Sequence, residues 1–116
     1  MLFTRKIRTL SPSEIWEAHQ SNGLVLVDVR QQPEWRSGVV SGAQLIPLNE
    51  LPRRLGELPR KKTVAFICRS GHRSSLAARQ ARRHGLDVVS VTGGMTAWHK
   101  AGLPTSTPPR HASHPA

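Results

Sequence analysis

The chain has 116 residues, 37% of them hydrophobic, with 17 Lys and Arg against 7 Asp and Glu for a formal charge of +10. That supports one modest core, is too short for two full domains, and includes no internal repeat and no apolar run of membrane-spanning length. A single cysteine excludes an internal disulfide framework and makes a reducing, cytoplasmic setting the expectation.

In chain order, Met1-Leu2-Phe3-Thr4-Arg5-Lys6-Ile7 has no apolar stretch of signal-peptide length. Ser11-Pro12-Ser13-Glu14 reads as a helix start, with Ser11 as N-cap, Pro12 at the first helical position and Glu14 closing a capping box; the helix is predicted to run to about Gly23. A strand from Leu24 to Val29, a short helix near Pro33 to Ser37, a strand from Gln44 to Ile46 and a helical turn around Asn49 to Gly56 follow. Thr63-Val64-Ala65-Phe66-Ile67 is a buried strand. From Ser74 a helical pattern places Leu76, Ala77, Ala78 and Ala81 on one side and Arg79, Arg82 and Arg83 on the other, stopping at Gly85. Val88 to Val91 is the last core strand, and Met95 to Lys100 a final helix. Strands alternating with helices predict an α/β fold with a mainly parallel central sheet, helices on both faces, and a ligand site at the carboxyl ends of the strands. Trp16, Trp35 and Trp98 read as core or loop-packing residues. The expected division is one domain over residues 1–104 and a disordered tail over 105–116, where Ser, Thr, Pro, His and Ala supply almost no apolar anchor.

Cys68 carries the chemistry. It ends the Thr63–Ile67 strand and opens the loop Cys68-Arg69-Ser70-Gly71-His72-Arg73-Ser74 before a helix. Unpaired N–H groups of a helix's first turn, with the positive end of its dipole, stabilise negative charge in such a loop. Arg69 and Arg73 add two permanent cations and His72 a third titratable one, a setting that favours the nucleophilic thiolate. A free cysteine ordinarily finishes a strand as a small buried residue, but the Gly-containing, doubly cationic loop favours the functional reading here. No metal site is expected: Cys68 and His72 are the one plausible pair, a closed zinc site needs four ligands, and His111 and His114 lie in the tail without other ligands. No cofactor is expected either. The charge clusters Arg53-Arg54, Arg60-Lys61-Lys62 and Arg79, Arg82, Arg83 read as solvated surface that could also dock an anionic acceptor. Nucleic acid and membrane are not expected partners, because no aromatic residues interleave with the clusters for base stacking and no spanning segment exists.

From Arg8 to Pro104 the chain resembles the rhodanese sulfurtransferases, in particular their single-domain members. Three blocks in order carry the resemblance: Leu24-Val25-Leu26-Val27-Asp28-Val29-Arg30 continued through Glu34-Trp35, Gly38, Gly42-Ala43 and Ile46-Pro47; the Cys68 to Ser74 loop; and Val91-Thr92-Gly93-Gly94-Met95-Thr96-Ala97-Trp98 with Ala101-Gly102-Leu103-Pro104. Val39-Val40 stands where family members often have His-Ile, and Ile67 where a Tyr or another polar residue frequently precedes the cysteine. Four residues separate Cys68 from Arg73, one fewer than in related phosphatases and arsenate reductases of this fold, so the loop resembles the sulfur-transferring branch.

The resemblance implies a rhodanese-like three-layer fold and double displacement at Cys68. Its thiolate takes the outer sulfur of an anionic donor such as thiosulfate, expels sulfite and becomes a persulfide, which a thiol or cyanide then discharges. Loop N–H groups would stabilise the terminal sulfur, Arg69 and Arg73 would orient the donor, Gly71 would let the backbone turn, and His72 would contact donor or acceptor, or else solvent. Asp28, Arg30 and Glu34 are expected to form an ion-pair network bracing the loops. A protein that accepts sulfur is a further expected partner, and a non-catalytic binding or redox-sensing module is the alternative function.

Overall fold

The computed structural model describes residues 6–109. Five strands, β1 (Thr9–Leu10), β2 (Leu24–Asp28), β3 (Gln44–Leu45), β4 (Thr63–Ile67) and β5 (Val88–Val91), form one sheet in the order β1-β5-β4-β2-β3 with every pair parallel. Four α-helices accompany them: α1 (Pro12–Gln20), α2 (Leu51–Arg54), α3 (His72–Arg83) and α4 (Gly94–Lys100). Shorter 3-10 turns span Gln32–Ser37, Leu48–Glu50 and Leu55–Glu57.

Side-chain alternation along the central strands sorts the core into two layers. Val64, Phe66 and Cys68 of the β4 run pack with Leu51, Leu55, Ala77, Ala78 and Ala81, so α2 and α3 cover one face. Ala65 and Ile67 pack with Ile15, Met95 and Trp98, so α1 and α4 cover the other. Both faces of β4 are therefore dry, which is why it reads as a continuous apolar run rather than an alternating one. Trp35 and Trp98 are fully buried; Trp16 is half-buried and meets Trp98 edge to face with ring centroids 5.9 Å apart.

The capping box that opens α1 is formed, with Glu14 N–H donating to Ser11 Oγ at 3.2 Å and Ser11 N–H to Glu14 Oε1 at 2.9 Å. The helix stops at Gln20, short of the expected Gly23, because Asn22 turns into the left-handed region with φ of 60°. The two-residue β1 was not foreseen; two residues cannot display a period, and only its pairing with β5 defines it. Helix α3 begins at His72, two residues earlier than expected, because Gly71 with φ of 113° supplies the reversal that lets helical geometry start at once. Leu76, expected on the buried side of α3, is 41% exposed.

The first residues of the segment expected as a tail, up to Pro109, lie among the described residues. Ser106 exchanges backbone hydrogen bonds with Val39, donating at 2.7 Å and accepting at 2.9 Å, as an antiparallel bridge. The bridge is made by backbone groups alone, in a stretch whose side chains are mostly exposed. Residues 110–116, with His111 and His114, lie outside the described residues.

Parallel register places Asp28 of β2 beside Ile67 of β4, so Asp28-Val29-Arg30 and Cys68 leave the sheet from adjacent strand ends. The chain turns from β2 to β3 on one side and later returns to β4 on the other. The two carboxyl ends thus flank a topological switch point, where open α/β sheets bind ligands.

Candidate active site

Cys68 is only 1% exposed and follows the last residue of β4. Gly71 N–H donates to Cys68 Sγ at 3.0 Å, and the Ser74 hydroxyl lies 3.4 Å from the same sulfur. Burial alone pushes the thiol up. The Ser74 hydroxyl and the backbone N–H groups of Ser74, Gly71 and Ser70 outweigh it and hold the thiol below its ordinary range. The loop therefore has the charge preference of an anion cradle, with its donors aimed at sulfur.

The loop is held from behind by the Gly93-Gly94 turn. Met95 N–H donates to the Cys68 carbonyl at 2.8 Å, while Thr96 N–H and Thr96 Oγ1 both donate to the Arg69 carbonyl at 3.1 Å. A Cβ at Gly94 would collide with the Cys68 carbonyl oxygen and lie 2.7 Å from the Arg69 carbonyl carbon, so the close approach requires glycine. The first N–H groups of α4 thus brace the cysteine loop.

Asp28 and Arg30 form a buried pair, 1% and 3% exposed. Arg30 donates to both Asp28 oxygens, at 2.7 Å from Nη2 to Oδ2, and also to the carbonyls of Glu34 at 3.1 Å and Gly38 at 2.8 Å. One guanidinium thereby ties the end of β2 to the Gln32–Ser37 turn. That turn presents Glu34, whose two carboxylate oxygens accept from Arg73 at 2.6 and 2.8 Å. The fork of Arg73, chiefly through those hydrogen bonds, holds the Glu34 carboxyl down to about 2 from an ordinary 4.5. The structure thus joins Asp28, Arg30, Glu34 and Arg73 in one chain of contacts reaching the cysteine loop.

For Arg73 this differs from the sequence expectation that it would face the donor. Its terminal nitrogens are directed at Glu34, because the Arg30-anchored turn fixes that carboxylate within reach across 39 residues of sequence. Arg69 is exposed and, among the described residues, has no ion-pair partner. It lines a cavity of about 360 Å³ with Arg30, Glu34, Ser37, Met95, Thr96 and His99. Ser70 is exposed, and His72, at the start of α3, is exposed and absent from the cavity lining. Sequence reasoning missed Thr96, His99 and Ser90. The one signal for Ser90 was a hydroxyl in the otherwise apolar run Val88-Val89-Ser90-Val91. Among the described residues no group of three or more His, Cys, Asp and Glu is placed to hold a metal ion.

Residues 11–101 match the Rhodanese-like domain family, and the chain belongs to it. A sulfurtransferase of Allochromatium vinosum is 35% identical over 86 residues, which cover 73% of this chain and 80% of its own. An uncharacterized protein of Synechocystis is 35% identical over 99 residues, covering 84% of this chain; the chain spans 55% of that relative's length. Among solved structures, a rhodanese-related protein from Thermoplasma volcanium superposes with a TM-score of 0.80 at 30% identity, covering 86% of this chain and 98% of the other.

Proposed function

We propose that the chain moves sulfane sulfur from a small anionic donor, such as thiosulfate, to a thiol or cyanide through a persulfide on Cys68. The observation that carries this is the Gly71 N–H donating to Cys68 Sγ at 3.0 Å in a loop that lowers the thiol's proton affinity. The thiolate attacks the outer sulfur of the donor, a new S–S bond forms, and the electron pair of the breaking bond leaves with sulfite. The terminal sulfur then carries the negative charge for which the loop N–H groups are arranged. Exposed Arg69 attracts the oxyanion end of the donor from the adjoining cavity, while Ser70, Gly71 and Ser74 shape the cradle and His72 stays exposed to solvent outside that cavity. Arg73 with Glu34, and Arg30 with Asp28, hold the loop in place.

No second cysteine exists in the chain to resolve a persulfide, so the sulfur leaves to an external acceptor. That acceptor is a small thiol, cyanide or a sulfur-accepting protein, in a reducing compartment such as the cytoplasm that keeps Cys68 free.

Intact mass of the reduced protein after brief exposure to thiosulfate tests the reading. One sulfur atom should be gained, lost again on adding a thiol, and absent in Cys68→Ser. If neither thiosulfate nor polysulfide adds sulfur, the transfer reading is refuted and a binding or redox-sensing module takes its place.

A further inference from the structure

Behind the sulfur lies a second hydroxyl that the proposed reaction does not use. Ser90 is 1% exposed and sits on β5 between Val89 and Val91, which point to the α1 and α4 face. Alternation turns Ser90 to the other face, toward α3, where its Oγ meets Ser74 Oγ at 2.7 Å. Ser74 is fully buried and carries the hydroxyl that approaches Cys68 Sγ. A hydroxyl buried among apolar side chains costs free energy unless it is hydrogen-bonded, so its presence here needs a partner.

Either oxygen of this pair can donate, and the count of protons against acceptors favours one direction. Among the described residues, the one hydrogen-bond partner of Ser90 Oγ is Ser74 Oγ. Donation from Ser90 to Ser74 gives both hydroxyl protons an acceptor, whereas the reverse leaves the Ser90 proton without one. Ser74 then has its own proton to place, on the Gly71 carbonyl at 3.1 Å or on the Cys68 sulfur. The Gly71 carbonyl does not depend on it, since Ser75 Oγ donates there at 2.9 Å and Ser75 N–H at 3.1 Å. With Cys68 as thiol, S–H and Ser90 O–H both donate to Ser74 while Ser74 donates to Gly71. With Cys68 as thiolate, the Ser74 proton swings to sulfur and no group is left unmet.

We propose that Ser90 is a positioning residue that acts on Cys68 through Ser74, fixing its own proton on Ser74 Oγ so that the Ser74 proton turns onto the sulfur when the thiolate forms. This rests on Cys68 as the nucleophile of the proposed transfer. Donation from Ser90 also polarises the Ser74 O–H and strengthens it as a donor to negative sulfur. Ser90 is thus specific to the charged state of the cysteine, without touching substrate.

The pH dependence of Cys68 alkylation by iodoacetamide tests this on the full chain, because it reads thiolate whether or not sulfur is ever transferred. Ser74→Ala should raise the midpoint by about one unit. Ser90→Ala should raise it by about 0.3 unit, an approximately twofold loss of rate below the midpoint. In the Ser74→Ala background, Ser90→Ala should add no further shift, since its route to the sulfur is gone. No shift with Ser74 present, or an equal shift in both backgrounds, overturns the proposal. If Ser90→Ala does not fold, the isosteric pair Ser90→Thr and Ser90→Val, with and without the hydroxyl, carries the same comparison. Absence of sulfur uptake from thiosulfate, with the relay shifts intact, would count against the transfer reading alone.

Discussion

Replacing Arg30 with methionine removes the cation from a carboxylate that is 1% exposed while keeping much of the side-chain volume. Asp28 then retains the Arg30 backbone N–H at 3.0 Å but loses its guanidinium donors, and the Glu34 and Gly38 carbonyls lose theirs. Stripping one partner from a buried ion pair costs about 3–5 kcal/mol, because the other charge stays desolvated. Against a total stability of about 5–15 kcal/mol for a small domain, that is a large fraction. At about 4 °C per kcal/mol for a chain of this size, the melting temperature should fall by about 12–20 °C. Urea unfolding at neutral pH is the assay, with an unchanged slope showing that stability rather than compactness moved. Adding Asp28→Asn to Arg30→Met should recover at least about 1 kcal/mol by removing the stranded charge. A loss below about 1 kcal/mol, or no recovery in the double variant, would refute the view that this pair anchors the Gln32–Ser37 turn to the sheet.

Glu34 gives a pH prediction with a definite sign. Its folded-state value of about 2 lies below the ordinary 4.5, so its contribution is fully present above 4.5 and is lost as pH falls toward 2. Both partners are about a quarter to a third exposed, so screening reduces the contribution to about 1–2 kcal/mol. The stability gap between the wild-type chain and Glu34→Gln should therefore close on acidification, and a gap that stays constant from pH 7 to pH 2.5 would contradict it. Gly94→Ala should cost at least about 2 kcal/mol and reduce sulfur uptake, since its Cβ strikes the Cys68 and Arg69 carbonyls. Gly102→Ala, with φ of 70° but nothing within 4 Å, is the control and should cost only the left-handed strain of about 1 kcal/mol; equal losses for the two would remove the collision as the cause. Cys68→Ser should fold normally and accept no sulfur, as judged by thermal melting beside intact mass.

The sequence alone determined which stretches form the main strands and helices, but not the end of α1, the start of α3 or the exposure of Leu76. The apolar runs read as strands from Leu24 to Val29, Thr63 to Ile67 and Val88 to Val91 were long enough to specify the three central strands, and Ser11 with Glu14 specified a helix start. A lone cysteine between a strand and a helix, among Arg69, Gly71 and Arg73, marked the candidate site. Pairing of strands, the partners of side chains far apart in sequence, and the fate of short segments were decided only by tertiary structure. The two residues of β1 and the bridge from Ser106 to Val39 have no pattern of their own and exist because a neighbouring backbone offers hydrogen bonds. The direction of Arg73 toward Glu34 depends on a turn that Arg30 holds from the end of another strand. Ser90 meets Ser74 because β5 lies beside β4 in the sheet while α3 covers their shared face. Such contacts are properties of the packed whole, since each side chain's position is set by elements that are remote from it along the chain.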